Sequence, residues 1–194
     1  SSINLDLALG TVSGGAGNDT IKSIEEVYGS NFGDTLSGDS GENWFYPDEL
    51  GDSLTQHPNY LIGGADTIDG LSGDNDTVSY QNTTFENGSG LVGVNVDLAA
   101  ETATDPAGKV DVLKNIDDVQ GTAKADVLTG NDGNNILYGD KGKDILTGGA
   151  GKDTFSFGNG EYWHPTVKAT EDGDIIKDFS VTDDTIAFDK GILD

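Results

Sequence analysis

The sequence predicts an all-β fold: a parallel β-roll (β-solenoid) of short rungs with additional short β-strands, internally duplicated. Three observations carry this. From Gly121 to Ser156 the chain falls into four rows of nine residues, GTAKADVLT, GNDGNNILY, GDKGKDILT and GGAGKDTFS. Short runs such as INLDLA at 3–8 and VNVDLA at 94–99 alternate apolar and polar residues, the period of a strand. Finally, the two halves answer each other. Residues 94–99 match 3–8 at an offset of 91, and 111–135 match 19–43 at an offset of 92.

Each place in a row has a physical reading. Glycine opens every row, where the chain must turn and backbones approach closely. The sixth place holds Asp126, Asn135, Asp144 and Asp153, and the eighth holds Leu128, Leu137, Leu146 and Phe155. The last three residues of a row suit a short strand with its eighth side chain inward. The first six make a turn whose carbonyls and sixth-place carboxylate face the next turn on the same side. Hard oxygen ligands in that number suit Ca²⁺, which takes six to eight oxygens. If two rows make one coil, Asp126 and Asp144 share one side of the roll, and Asn135 and Asp153 share the other. The pattern GGxGxDxUx in these rows resembles the RTX (repeats-in-toxin) family of secreted bacterial proteins. That resemblance implies several bound calcium ions, type I secretion through an uncleaved C-terminal signal, and an extracellular or cell-surface location.

Composition points the same way. Of the 194 residues, 27 are aspartate and 8 glutamate against 10 lysines and no arginine, for a formal net charge of −25. Short carboxylates beside a turn backbone are what calcium loops need. Without cations the chain repels itself, so metal binding and folding are expected to be one event. Nucleic acid is a poor partner, because a phosphate backbone is bound through Lys and Arg. There is no cysteine, hence no disulfide. No apolar run is long enough to span a membrane, and no signal peptide is visible.

Taken in order, Ile3–Ala8 reads as a strand. Gly14–Lys22 reads as a full nonapeptide with Asp19 sixth, and 24–28 reads as a second strand. Rows at 29–37 and 38–46 place Asp34 and Asn43 sixth, and Leu36 and Phe45 eighth. The chain then departs into WFYPDELGDSLTQHPNYL and returns in two imperfect rows that carry Asp66, Asp69, Asp74 and Asp76. The second unit repeats this plan, runs through the regular rows and departs again at 158–174. The tail, 174–189, reads as two short strands around an acidic turn. It resembles the segment that caps RTX rolls, with Asp174, Asp178 and Asp184 at its acidic places. The expected organisation is a first unit at 1–79, with an irregular aromatic loop at 44–62. A second unit follows at 80–194, with its regular roll at 121–156 and a cap at 157–194. Together they form one continuous, monomeric module of a longer chain. The expected metal ligands are Asp19, Asp34, Asn43, Asp66, Asp74, Asp76, Asp126, Asn135, Asp144, Asp153, Asp174 and Asp178.

The two departures hold both tryptophans and both histidines of the chain. Trp44, Tyr46, His57 and Tyr60 lie in the first; Tyr162, Trp163 and His164 lie in the second. Long loops on a repeat scaffold tend to carry function. These side chains are candidates for a ligand pocket, or for a cap closing the open ends of the solenoid. GDSL at 51–54 spells one esterase block but stands without its companions, so no catalysis is expected. The resemblance implies the C-terminal region of a large secreted RTX adhesin, where calcium would rigidify a module binding a cell-surface peptide or glycan. The alternative is a calcium-triggered folding and secretion module of a secreted enzyme, of protease or alginate epimerase type.

Overall fold

A computed structural model describes residues 1–15, 17–48, 64–73, 75–81, 92–157 and 173–188. Within them the chain forms strands only, most of them three residues long, arranged in two sheets. The seven-stranded sheet stacks β4 (Glu26–Tyr28), β6 (Trp44–Tyr46), β8 (Thr77–Ser79), β12 (Asp118–Gln120), β14 (Ile136–Tyr138), β16 (Thr154–Phe157) and β18 (Thr185–Phe188). Every neighbouring pair in it is parallel. The eleven-stranded sheet contains β5 (Thr35–Ser37), β7 (Thr67–Asp69), β13 (Val127–Thr129), β15 (Ile145–Thr147) and β17 (Ile175–Ile176). It also contains two antiparallel insertions, β1 (Asn4–Asp6), β2 (Thr11–Gly14), β3 (Gly17–Thr20) and β9 (Asn95–Asp97), β10 (Thr102–Thr104), β11 (Val110–Lys114).

The chain alternates between the sheets, so two rows make one coil. β13 pairs with β15, eighteen residues on, and β14 with β16. The middle residue of each short strand points between the sheets. Val27, Leu36, Phe45, Ile68, Val78, Val96, Val119, Leu128, Leu137, Leu146 and Phe155 are each at most 2% exposed. Parallel register stacks these side chains in columns, such as Phe45 on Val78 and Leu137 on Phe155. Burying each stabilises by roughly 1.5–3 kcal/mol, and these columns form the core.

The duplication recurs in space. Each half begins with an antiparallel insertion (β1–β3, β9–β11) and then alternates between the sheets. β11 packs parallel on β7, with Leu113 opposite Ile68, and so joins the second run of rungs to the first. β17 packs on β15 in the same register, with Ile176 opposite Leu146. Its sequence DIIKDF (174–179) repeats DVLKNI (111–116) and DTIKSI (19–24).

Three sequence expectations change. Gly14–Lys22 is a hairpin rather than a row of the roll: Val12 lies opposite Asp19, and Gly17 takes a φ of +120° at the turn. The segment is the terminal strand of its sheet and pairs back on β2. Trp44–Tyr46 is a regular strand inside the seven-stranded sheet, so the irregular segment starts after Tyr46. Phe45 explains this, since an inward eighth-place side chain fixes the strand. The two tail strands do not pair with each other. β17 extends one sheet and β18 the other, which adds one more rung.

Candidate metal centres

The sixth-place side chains form two ladders along the edges of the roll. The Asp126 amide donates to Asp144 Oδ1 at 2.9 Å, and the Asp144 amide to Asp174 Oδ1 at 2.9 Å. On the opposite edge the Asn135 amide donates to Asp153 Oδ1 at 3.0 Å, and the Asp153 amide to Asp184 Oδ1 at 3.0 Å. Asp126 and Asp144 therefore share one edge, and Asn135 and Asp153 the other. The Asp126 carboxylate also folds into its own turn. Asp126 takes the Thr122 amide at 2.7 Å on Oδ2 and the Thr122 hydroxyl at 2.8 Å on Oδ1. The row-opening glycines make room for this: a Cβ on Gly139 would stand 2.5 Å from Asp144 Oδ2. Gly142, at φ +144°, lies against the Lys124 carbonyl of the previous turn and 2.7 Å from Asp144 Oδ1, measured from where its Cβ would be.

The irregular rows keep the same ladder. The Asp34 amide donates to Asp66 Oδ1 at 2.6 Å, and the Asp66 amide to Asp111 Oδ1 at 2.9 Å. The Asn43 amide donates to Asp76 Oδ1 at 2.8 Å, and the Asp76 amide to Asp117 Oδ2 at 3.1 Å. The extra residue before Asp76 is absorbed by positive φ at Leu71 and Asn75, each 67°. Asp178 plays a different part, accepting from the Gly148 and Gly149 amides at 2.9 Å each. Asp19 sits exposed on β3 and joins no ladder. Asp74, His57, Tyr60, Tyr162, Trp163 and His164 lie outside the described residues.

Asp34, Asp66, Asp76, Asp126, Asp144 and Asp153 are each at most 2% exposed. Burial pushes the carboxyl groups of Asp66 and Asp144 up to about 8, and of Asp76 and Asp126 up to about 6. Backbone amides pull the other way, and neighbouring carboxylates add repulsion at Asp66, Asp76 and Asp144. One oxygen of each of Asp66, Asp76 and Asp144 is buried with no hydrogen-bond partner. A buried carboxylate needs a compensating charge or it neutralises. Among the described residues no three acidic or histidine side chains close on one point. The carbonyl oxygens of Lys124, Asn131 and Gly133 face the glycines of the neighbouring turns, so a cation held here would find one carboxylate per turn and backbone carbonyls beside it. The donor set is all oxygen, the chemistry of Ca²⁺.

Sequence spacing does not reveal Asp111 and Asp117 as ladder members, because they lie 45 and 41 residues from the rungs they complete. The 92-residue offset places Asp111 opposite Asp19 and Asp117 opposite Glu25, a signal that only the stacked rungs make readable. Trp44 and Tyr46 stand on the outer face of β6. The Tyr28 and Tyr46 rings stack at 4.4 Å and 4°, and Trp44 lies 6.5 Å from Tyr46. Trp44 Nε1 donates to Glu42 at 3.2 Å. Burial, then Tyr28 and Glu26, pushes the Tyr46 hydroxyl up to about 12.

A family profile of the RTX calcium-binding nonapeptide repeat (4 copies) matches residues 11–22, 25–52, 115–146 and 129–161. No curated protein matches the chain. The matched residues supply β13 to β16 and the rungs of β4 to β6, where glycine-opened turns face buried sixth-place oxygens. The chain carries RTX calcium-binding nonapeptide repeats, which form an all-β parallel roll and bind several calcium ions, and it is a calcium-binding module of a secreted protein.

Proposed function

We propose that the module is a calcium-dependent binding unit of a secreted adhesin, holding an extracellular peptide or glycan on aromatic side chains set beside calcium rungs. The observation that carries this is the Tyr28–Tyr46–Trp44 stack. It lies on the outer face of the seven-stranded sheet, not in the core, and acidic Glu26 and Glu42 flank it. Flat aromatic faces with carboxylates at their edge suit sugar rings and polar peptide groups. In this reading Asp34, Asn43, Asp66, Asp76, Asp126, Asn135, Asp144, Asp153 and Asp174 hold the ions. Asp178 fastens the last turn, and calcium fixes the strand that carries Trp44 and Tyr46.

The second reading is a calcium-triggered folding and secretion module of an enzyme. The unbroken stacking of rungs from β4 to β18 favours it, since that architecture needs no ligand. A glycan and peptide array probed in calcium, then in EGTA, separates the two. Binding that is lost in EGTA and lost in Trp44→Ala and Tyr46→Ala, with unchanged circular dichroism, supports the binding unit. Absence of any calcium-dependent hit, or hits that survive both substitutions, overturns it.

A further inference from the structure

A second group of carboxylates lies off the nonapeptide pattern, where the first run of rungs meets the β9–β11 insertion. Asp48 follows β6, and Asp105 opens the turn between β10 and β11; each is 2% exposed. Their carboxylates meet within hydrogen-bonding reach. Asp66 and Asp111, 1% and 0% exposed, lie close enough for their charges to act on this group. Asp111 lies opposite Ala103 on the inward face of the hairpin, two residues along from Asp105. The Gly64 amide donates to Asp48 Oδ1 at 2.9 Å, the Lys109 amide to Asp105 Oδ1 at 2.7 Å, and the Tyr80 hydroxyl to Asp111 Oδ2 at 2.8 Å. Asp105 Oδ2 and Asp66 Oδ2 remain buried with no partner. The charged groups acting on Asp48 and Asp111 are other carboxylates.

Two buried carboxylates in contact cannot both stay ionised unless something positive joins them. A proton shared between Asp48 and Asp105 would neutralise one carboxylate and leave Asp66 Oδ2 without a partner. A divalent cation offsets the charge of the whole group.

We propose that Asp48 and Asp105 hold a further calcium-class divalent cation, outside the repeat rows, at the junction of the two runs of rungs. The ion takes these two carboxylates directly and completes its shell with carbonyl oxygens and water, while Asp111 and Asp66 contribute charge. It fastens the point where the chain leaves after Asp48 and returns at Gly64 to the turn at 105–109. This assignment is independent of any ligand on the aromatic face.

The parent chain crystallised with terbium in place of calcium gives the direct test. An anomalous peak between Asp48 and Asp105 is expected; peaks confined to the rungs overturn the proposal. Native mass spectrometry in calcium gives a second readout. Asp48→Asn and Asp105→Asn are each expected to carry one ion fewer than the parent. The double variant is expected to lose no more than either single one, with the β spectrum intact. An unchanged count in a folded variant means the pair shares a proton, and the site is rejected.

Discussion

The rungs of residues 29–79 and those of 121–157 build the same coil from unequal sequences. In the second, partners on one edge are 18 residues apart, as in Asp126 with Asp144. In the first they are 32 and 33 apart, Asp34 with Asp66 and Asn43 with Asp76. The amide-to-carboxylate link is nonetheless the same in both. The coil is thus defined by what recurs at two points, an inward apolar side chain and a turn carboxylate. The number of residues between them is free. Extra chain leaves after a strand and returns before the next carboxylate, so neither point is disturbed.

Removing calcium is the broadest way to break this likeness. In EGTA both runs are expected to lose the β signal in far-UV circular dichroism together, since self-repulsion acts on the whole chain. An intact β spectrum would show that the core holds without ions.

Next in size are the inward aromatics. Phe45→Ala and Phe155→Ala each remove a fully buried ring and are expected to cost about 3–5 kcal/mol in calcium, read from urea midpoints. A cost at Phe45 far below that at Phe155 would mean that the irregular run is packed less firmly.

The ladder itself is compared by Asp66→Ala and Asp144→Ala. If each abolishes one ion, each loses about 2.7 kcal/mol at a hundredfold excess of calcium over its Kd, seen as a rise in the calcium needed for folding. Equal shifts would establish that row regularity is irrelevant to the ion. Gly139→Ala is expected to cost less, about 1–3 kcal/mol, because its new Cβ presses on the Asp144 carboxylate.

The smallest effect is that of pH. The raised carboxyls of Asp66 and Asp144 mean that the calcium-free fold binds more protons than the unfolded chain between about pH 4 and about pH 8. Their contribution without calcium is therefore fullest at low pH and is lost as pH rises through that window. Calcium requires the ionised form, so the opposite holds with metal: the calcium midpoint should fall between pH 5.5 and pH 8. A flat midpoint across that range would exclude proton competition at these sites.

Much of this was legible in the chain. Nine-residue rows fix Leu128, Leu137, Leu146 and Phe155 as core, and they place Asp126 and Asp144 on one edge, because equal spacing maps directly onto equal turns. The role of Asp76 was readable as a row one residue too long. Asp111 and Asp117 were hidden by distance, since their rungs are assembled from segments with no common period. Asp48 and Asp105 belong to no row at all, and only the fold brings them together. The hairpin at Asp19 was not readable because row spacing at 14–22 is that of a repeat and does not show that the strand pairs back on β2.

The second antiparallel insertion has one mechanical consequence. Between β13 and β7 the larger sheet holds three strands, whereas between β14 and β8 the smaller holds only β12. At about 4.8 Å per strand, one wall of the coil is longer than the other by roughly 10 Å across the junction. That surplus acts as a wedge, so the axis must bend or twist at the insertion. Chains that repeat this unit would advance as an arc rather than a straight rod, and whatever docks on the shorter wall would meet a concave surface.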